Sequence, residues 1–340
     1  MLVRIALLGL AAVHCAEPAQ AQGQLIEVIY SISKSFMKLG EYISKASERD
    51  AKGLVKRDQI PLDPPRPSYD INQNDITNFL HHSLLSICSQ SFVEQGNCFC
   101  KDRFHDATIF ENKTLDSQAA VVVDRENKLV VVSYRMSTTD KNWDTNEDSG
   151  LVSYPFTNGQ EMVHKGHLKH YRSIQQPTEK RALELLKDPR HKDYTLHITG
   201  YSLGGSVTAI SMPVWLNLLD KNGLKNKARF FAYSNPRPGN LAFAQYIETL
   251  GAPIVRYAKK GDIVPQIPEQ AVGYSQIGQE FYDPDDMLFA TTHLKRCSPN
   301  VIQDGSCSLN NNNFFPPHHL LPFNKPIPFP PFCIPPEEHH

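Results

Sequence analysis

Residues 199–205 read Thr-Gly-Tyr-Ser-Leu-Gly-Gly, directly after the strand-like run Tyr-Thr-Leu-His-Ile at 194–198. Gly200, Ser202 and Gly204 fit the pattern G-x-S-x-G. That pattern places a serine on a sharp strand-to-helix turn, where flanking side chains must be small. A serine hydroxyl is a poor nucleophile alone, so the turn matters only if a base and a group that orients the base are supplied elsewhere.

The surrounding sequence supports such a turn. Residues 118–124 and 128–135 are β-branched runs separated by Arg-Glu-Asn-Lys, which predicts a strand hairpin. A helix is predicted over 177–188, with Ala182, Leu185 and Leu186 on one face. Residues 194–199 form the next strand. A helix then opens at Gly204, and Pro213 is expected to kink or end it near Met212. Strands at 229–234 and 253–258 flank a further helix in 235–251. This alternation predicts an α/β fold with a central, mostly parallel sheet and helices on its faces.

Bulk composition narrows the class. The chain has 340 residues, 40% of them hydrophobic, and a net charge of −1. That is enough apolar material for a large core, and no basic run suggests nucleic acid. Arg4 precedes an apolar stretch from Ile5 to Val13, and Ala19-Gln20-Ala21 offers small residues at cleavage spacing. Residues 1–21 therefore read as a secretory signal peptide. A membrane anchor would need roughly 20 apolar residues, so no stable membrane insertion is expected. Residues 22–57 carry a helical apolar spacing and end in Lys56-Arg57, a dibasic pair that marks a propeptide. Residues 58–340 read as one domain, with a proline-rich segment over 316–336.

Of seven cysteines, Cys15 lies in the signal, which leaves Cys88, Cys98, Cys100, Cys297, Cys307 and Cys333. An even number in a secreted chain predicts three disulfides, for which 15 pairings exist. No paired Cys-x-x-Cys motif argues for zinc. Neither His318-His319 nor the terminal His339-His340 has metal-ligand spacing, so no metal and no cofactor are expected. Asn112-Lys113-Thr114 is a glycosylation sequon.

In a fold of this kind the acid follows a later strand and the base comes last. Asp262, just past the strand 253–258, suits the acid. For the base, His293, His318, His319, His339 and His340 all remain open on residue order alone.

Several segments resemble the secreted fungal class 3 lipases, a family that also contains feruloyl esterases. Residues 199–205 are similar to its T-G-H-S-L-G-G, 162–171 to its V-H-x-G-F region, 233–247 to G-x-P-R-x-G-N-x-x-F-A, and 259–268 to D-x-V-P-x-x-P. The similarity runs over roughly 75–333. It implies an α/β-hydrolase fold and a Ser202–Asp262–His319 triad, because His319-Leu320 takes the place of the family's His-Leu; His318 is the runner-up. It implies an oxyanion hole built from the N–H groups of Leu203 and Ser137, the latter in Ser-Tyr-Arg-Met-Ser-Thr at 133–138. It also implies the pairs Cys88–Cys333, Cys98–Cys100 and Cys297–Cys307. The first would close a very long loop and could contribute about 5 kcal/mol.

The implied activity is triacylglycerol hydrolysis at a lipid–water interface by a chain expected to act as a monomer. Three positions depart from the family: Tyr201 replaces a histidine, Met136 a glycine, and Pro322 an aromatic. The segment 138–156, where the family has a helix covering the site, carries Trp143 but is acidic and a weak helix former. Two other readings follow: a feruloyl-type or short-chain esterase, and a catalytically weak lipid-binding member of the fold.

N-terminal sequencing of secreted material is expected to give a mature chain that starts at or near Asp58. A chain that starts at Gln22 would refute the propeptide.

Overall fold

The β-branched runs form adjacent strands of a large eight-stranded sheet in the computed structural model. It describes residues 40–41, 58–67, 69–88, 90, 103–224, 227–285, 293–311 and 314–324. Both the signal segment and the Lys56-Arg57 pair fall outside these residues.

Helix α1 (Gln73–Asn78) is capped by Asn72, whose side chain accepts from the Asn74 and Asp75 amides. Strands β1 (Phe104–Asn112), β2 (Ser117–Asp124) and β3 (Leu129–Tyr134) then form an antiparallel meander. Arg125 to Lys128 make the predicted hairpin turn, with Lys128 at φ 53°. Next come α2 (Asp140–Glu147), β4 (Leu151–Ser153), β5 (Met162–His164), α3 (Lys165–Lys187) and β6 (Thr195–Tyr201). They are followed by α4 (Leu203–Lys221), β7 (Ala228–Tyr233), β8 (Gly239–Asn240), α5 (Leu241–Thr249) and β9 (Ile254–Lys259). Strands β10 (Tyr274–Ser275), β11 (Gln279–Asp283) and β12 (Lys295–Arg296) complete the set.

The main sheet runs β1-β2-β3-β6-β7-β9-β11-β12, and its pairs from β3 to β11 are parallel. A small second sheet runs β10-β8-β5-β4. Side chains alternate across the main sheet, as a period of two requires. Ala119, Val121 and Val123 join one core with Ile174, Leu185, Val207, Ile210 and Phe243 from α3, α4 and α5. Ala120 and Val122 join the other with Ile76, Phe79, Leu84 and Leu85. Both faces are therefore covered, which explains why these strands read as continuous apolar runs.

Two helices differ from the sequence expectation. Helix α3 starts at Lys165, well before 177, and runs through Pro177. Proline leaves the carbonyl four residues earlier without its amide. Here that is Ser173, whose carbonyl lies 3.5 Å from Asn112 Nδ2. Helix α4 does not end at Met212 but continues through Pro213 to Lys221. Its interior is buried on nearly all sides, with Trp215 and Leu219 beyond the proline. Burying those residues outweighs the ~3 kcal/mol that an interior proline costs. The Tyr154 hydroxyl also donates to the Ile210 carbonyl at 2.7 Å, inside the turn that Pro213 opens.

The junction of β6 and α4 is packed without slack. A Cβ on Gly204 would lie 2.0 Å from the Tyr134 carbonyl oxygen, and one on Gly200 would lie 2.3 Å from the Gly204 backbone.

The cores hold an unusual number of imidazoles. His164 and His167 stack at 3.5 Å with planes 3° apart, and His167 Nδ1 lies 2.7 Å from Ser206 Oγ on α4. Burial pushes His164 down to about 4 and His170 down to about 3. Burial also lowers His81, His82 and His197 on the opposite face of the sheet.

Two outcomes follow. The buried imidazoles are neutral in the fold, and the unfolded chain takes up protons first as pH falls through about 6.5. Folding stability is then full above pH 6.5 and is lost progressively toward the depressed values near 4. Calorimetry from pH 7.5 to 5 is expected to show a Tm loss on the order of 10 °C; a flat profile would refute this. Separately, Gly204→Ala is expected to destabilise the protein by about 3 kcal/mol through overpacking, read as a lower urea midpoint at unchanged slope.

Candidate functional site

The register of the parallel strands sets the site. Tyr134 of β3 is level with Gly200 of β6, Tyr201 with Tyr233 of β7, and Tyr233 with Tyr257 of β9. The loops that leave β3, β6 and β9 therefore emerge side by side at the carboxyl edge of the sheet.

Ser202 occupies the turn after β6 at φ 54°, ψ −122°. An L-residue holds such a conformation only when its surroundings enforce it. Here the Ser202 amide donates to the Tyr233 carbonyl at 2.8 Å, and the Ser202 carbonyl accepts from Gly205 at 3.0 Å and Ser206 at 3.3 Å. Asp262 follows β9 and is fully buried. Its Oδ1 accepts from the Val264 amide at 2.9 Å, and Asn311 Oδ1 accepts from the neighbouring Gly261 amide at 3.0 Å. His319 sits in a short helical turn, Pro316–Leu320, and is 5% exposed.

These three meet. His319 Nδ1 lies 3.0 Å from Asp262 Oδ2, and His319 Nε2 lies 2.9 Å from Ser202 Oγ. A carboxylate can only accept, so Nδ1 carries the proton and Nε2 faces the serine hydroxyl as an acceptor. His319 thus reaches the serine, while the His318 ring packs on Phe315 at 5.1 Å. His293 is exposed, and His339 and His340 lie outside the described residues.

Leu203 is the first residue of α4, so its N–H belongs to the free donors of a helix start. Ser137 follows β3, buried, and its hydroxyl accepts from Asn146 Nδ2 of α2 at 3.0 Å. Met136 is buried and has no positive φ, so the loop does not require the glycine that the family has there. Asp116 anchors this loop. Its carboxylate pairs with Arg135 at 2.8 Å and accepts from the Thr139 hydroxyl, while its carbonyl accepts from Arg135 and from Asn142 Nδ2. Arg135 also donates to Gln118 at 2.7 Å. Residue order gave no sign of Asp116, Gln118, Asn142 or Asn311, because their roles arise only when distant loops meet.

The polar 138–156 segment does form a helix, α2, contrary to its weak propensity. Thr139 caps it by accepting from the Asn142 amide at 3.3 Å. Trp143 is buried against Ile263 and Val264, beside Asp262. One tryptophan and a cap supply what propensity does not.

Cys297 and Cys307 form a disulfide with Cα atoms 6.3 Å apart. Cys88 is disulfide-bonded; Cys98, Cys100 and Cys333 lie outside the described residues. Asn112 ends β1 half-buried, its Oδ1 accepting from the Thr114 and Leu115 amides at 3.1 Å. His81, His82 and Asp124 place possible metal-ligand atoms within 4.8 Å of one another. Arg103, Asn127 and His82 already occupy that carboxylate, at 3.0, 2.9 and 2.8 Å.

Residues 131–272 match the family model described as lipase (class 3). The lipase of Rhizomucor miehei is 29% identical over 241 residues, covering 67% of this chain and 65% of that protein. The secreted mono- and diacylglycerol lipase A of Penicillium cyclopium is 26% identical over 219 residues, covering 60% and 63%. The matched regions thus span just under two thirds of both relatives. The native Rhizomucor miehei lipase propeptide complex superposes with a TM-score of 0.62 at 24% identity, over 78% of this chain and 84% of that one. The fold is therefore the α/β-hydrolase fold, and the chain is similar to the class 3 lipases over residues 131–272 and to the fungal lipases beyond them.

Proposed function

We propose that the protein is a secreted serine hydrolase that cleaves carboxylic esters of lipids, with triacylglycerol as the leading substrate. The observation that carries this reading is the hydrogen-bonded chain Ser202–His319–Asp262. His319 Nε2 removes the hydroxyl proton as Ser202 Oγ attacks the ester carbonyl. Asp262 holds the imidazole in the productive tautomer and stabilises its cation. The carbonyl oxygen becomes an oxyanion, which the amides of Leu203 and Ser137 stabilise. Collapse returns the proton to the leaving alcohol, and water releases the acyl group by the same route in reverse. No step needs a metal or an organic cofactor.

Secretion and processing belong to the same reading. One relative is named a secreted lipase, and one structural neighbour is a lipase–propeptide complex; both support a signal peptide over 1–21 and a propeptide over 22–57. No helix among the described residues is long and apolar enough to cross a membrane, and we take the protein to be a monomer that meets its substrate at a lipid surface. A glycan on Asn112 and the pairs Cys88–Cys333 and Cys98–Cys100 complete the secreted form.

A second reading, a feruloyl-type or short-chain esterase, draws support from α2. Trp143 is its only large apolar residue, so the helix brings little apolar area to a lipid surface. The ordinary backbone of Met136 removes one reason to favour a catalytically weak protein.

Hydrolysis of p-nitrophenyl esters of graded chain length decides between these. Turnover of long-chain esters that rises sharply above their solubility is expected; preference for short or aromatic esters would favour the second reading. Ser202→Ala should lower kcat by a factor on the order of 10^5 to 10^6. Asp262→Asn should lower it by roughly 10^4. Full activity in Ser202→Ala would end the proposal.

A further inference from the structure

The segment that carries His319 is poor in backbone donors. Pro316, Pro317 and Pro322 lie within a few residues of it and have no N–H. At the edges of its own turn, His318 N–H donates to the Phe315 carbonyl at 2.9 Å and Leu321 N–H to the His318 carbonyl at 3.3 Å, and the Phe315 N–H ties the segment to the Gly261 carbonyl at 2.9 Å. The base must nevertheless hold 2.9 Å to Ser202.

Two phenols tie this segment to the sheet. Tyr201, the residue before Ser202, donates its hydroxyl to the His319 carbonyl at 2.7 Å. A carbonyl only accepts, so the direction is fixed. Its ring also lies 5.4 Å from the imidazole. Tyr257 accepts from the Phe323 amide at 3.0 Å and donates to Asp283 Oδ2 at 2.8 Å. Its ring packs on Phe323 at 4.6 Å. Strand register places both tyrosines in one row, Tyr201 level with Tyr233 and Tyr233 level with Tyr257. Both are fully buried, and burial, before the nearby carboxylates, raises them well above the ordinary tyrosine range, so both stay neutral donors. Tyr201 is also one of the three departures from the family's motif.

We propose that Tyr201 and Tyr257 form a phenol clamp that positions the general base, one gripping the His319 carbonyl and the other the Phe323 amide. The proposal rests on the ester-hydrolase reading above. Neither tyrosine touches the reacting atoms; both act through the backbone around His319.

The test uses Tyr201→Phe, Tyr257→Phe and the double variant in the full chain. A p-nitrophenyl phosphonate titrates competent Ser202 and reports the rate at which Oγ bonds to phosphorus and p-nitrophenolate leaves. In Tyr201→Phe, kcat per titrated site and the phosphonylation rate are expected to fall roughly three- to tenfold, the size of one neutral hydrogen bond. KM should stay within about twofold, since the ester pocket is untouched. Tyr257→Phe should move the same two rates in the same direction. The double variant should depart from the product of the singles, because both act on one segment. A lower Tm with unchanged rates per titrated site in both single variants would overturn the clamp and leave the triad standing. Wild-type protein that the phosphonate does not label at Ser202 would overturn the triad reading, and the clamp with it.

Discussion

The structure depends on one backbone constraint: Ser202 is held at a positive φ that its side chain disfavours. The local bonds from Gly205 and Ser206 to its carbonyl are only part of what enforces it. Further restraint comes from β7, which accepts the Ser202 amide, and from α4, pressed against β3 and β6 so closely that Gly200 and Gly204 leave no room for a methyl group. The buried helix α4 serves the same end, running past Pro213 with most of its residues buried. Around this point the other loops need only arrive. Strand register delivers them to the same sheet edge.

Much of this was legible in the sequence. The β-branched runs at 118–124 and 128–135, the spaced glycines and the acid after a strand are local signals, and each matches what forms there. Helix ends were less legible. Pro177 and Pro213 signal a break on local grounds, yet both are tolerated because neighbouring side chains and burial compensate. The order of residues left five histidines open, and the family resemblance, rather than any local property, singled out His319. The surroundings of the site were not legible at all. Asp116 reads as a turn aspartate and Asn311 as one of a run of asparagines, and their hydrogen bonds become visible only when segments 19 to 50 residues apart meet.

The departures from the family pattern make sense as a group. Met136 and Tyr201 belong to one buried cluster beneath the site, together with Phe323, the residue after Pro322. A larger residue after Arg135 and a phenol before Ser202 occupy the same apolar layer on which the proline-rich segment rests. Loss of backbone donors in that segment and gain of a buried hydroxyl at Tyr201 are complementary changes.

Asp116 has a mechanical meaning. It grips Arg135, Thr139 and Asn142 together, so the first turn of α2 and the loop bearing Ser137 share one mooring. The far end of α2 touches that loop differently, through the hydrogen bond from Asn146 to the Ser137 hydroxyl. Just past the same helix, Asp148 pairs with Lys165 and Lys169 of α3 at 2.8 and 2.7 Å, so both ends of α2 are tied to the domain. Displacing α2 would therefore cost the ion pairs at one end as well as the Asp116 hydrogen bonds at the other.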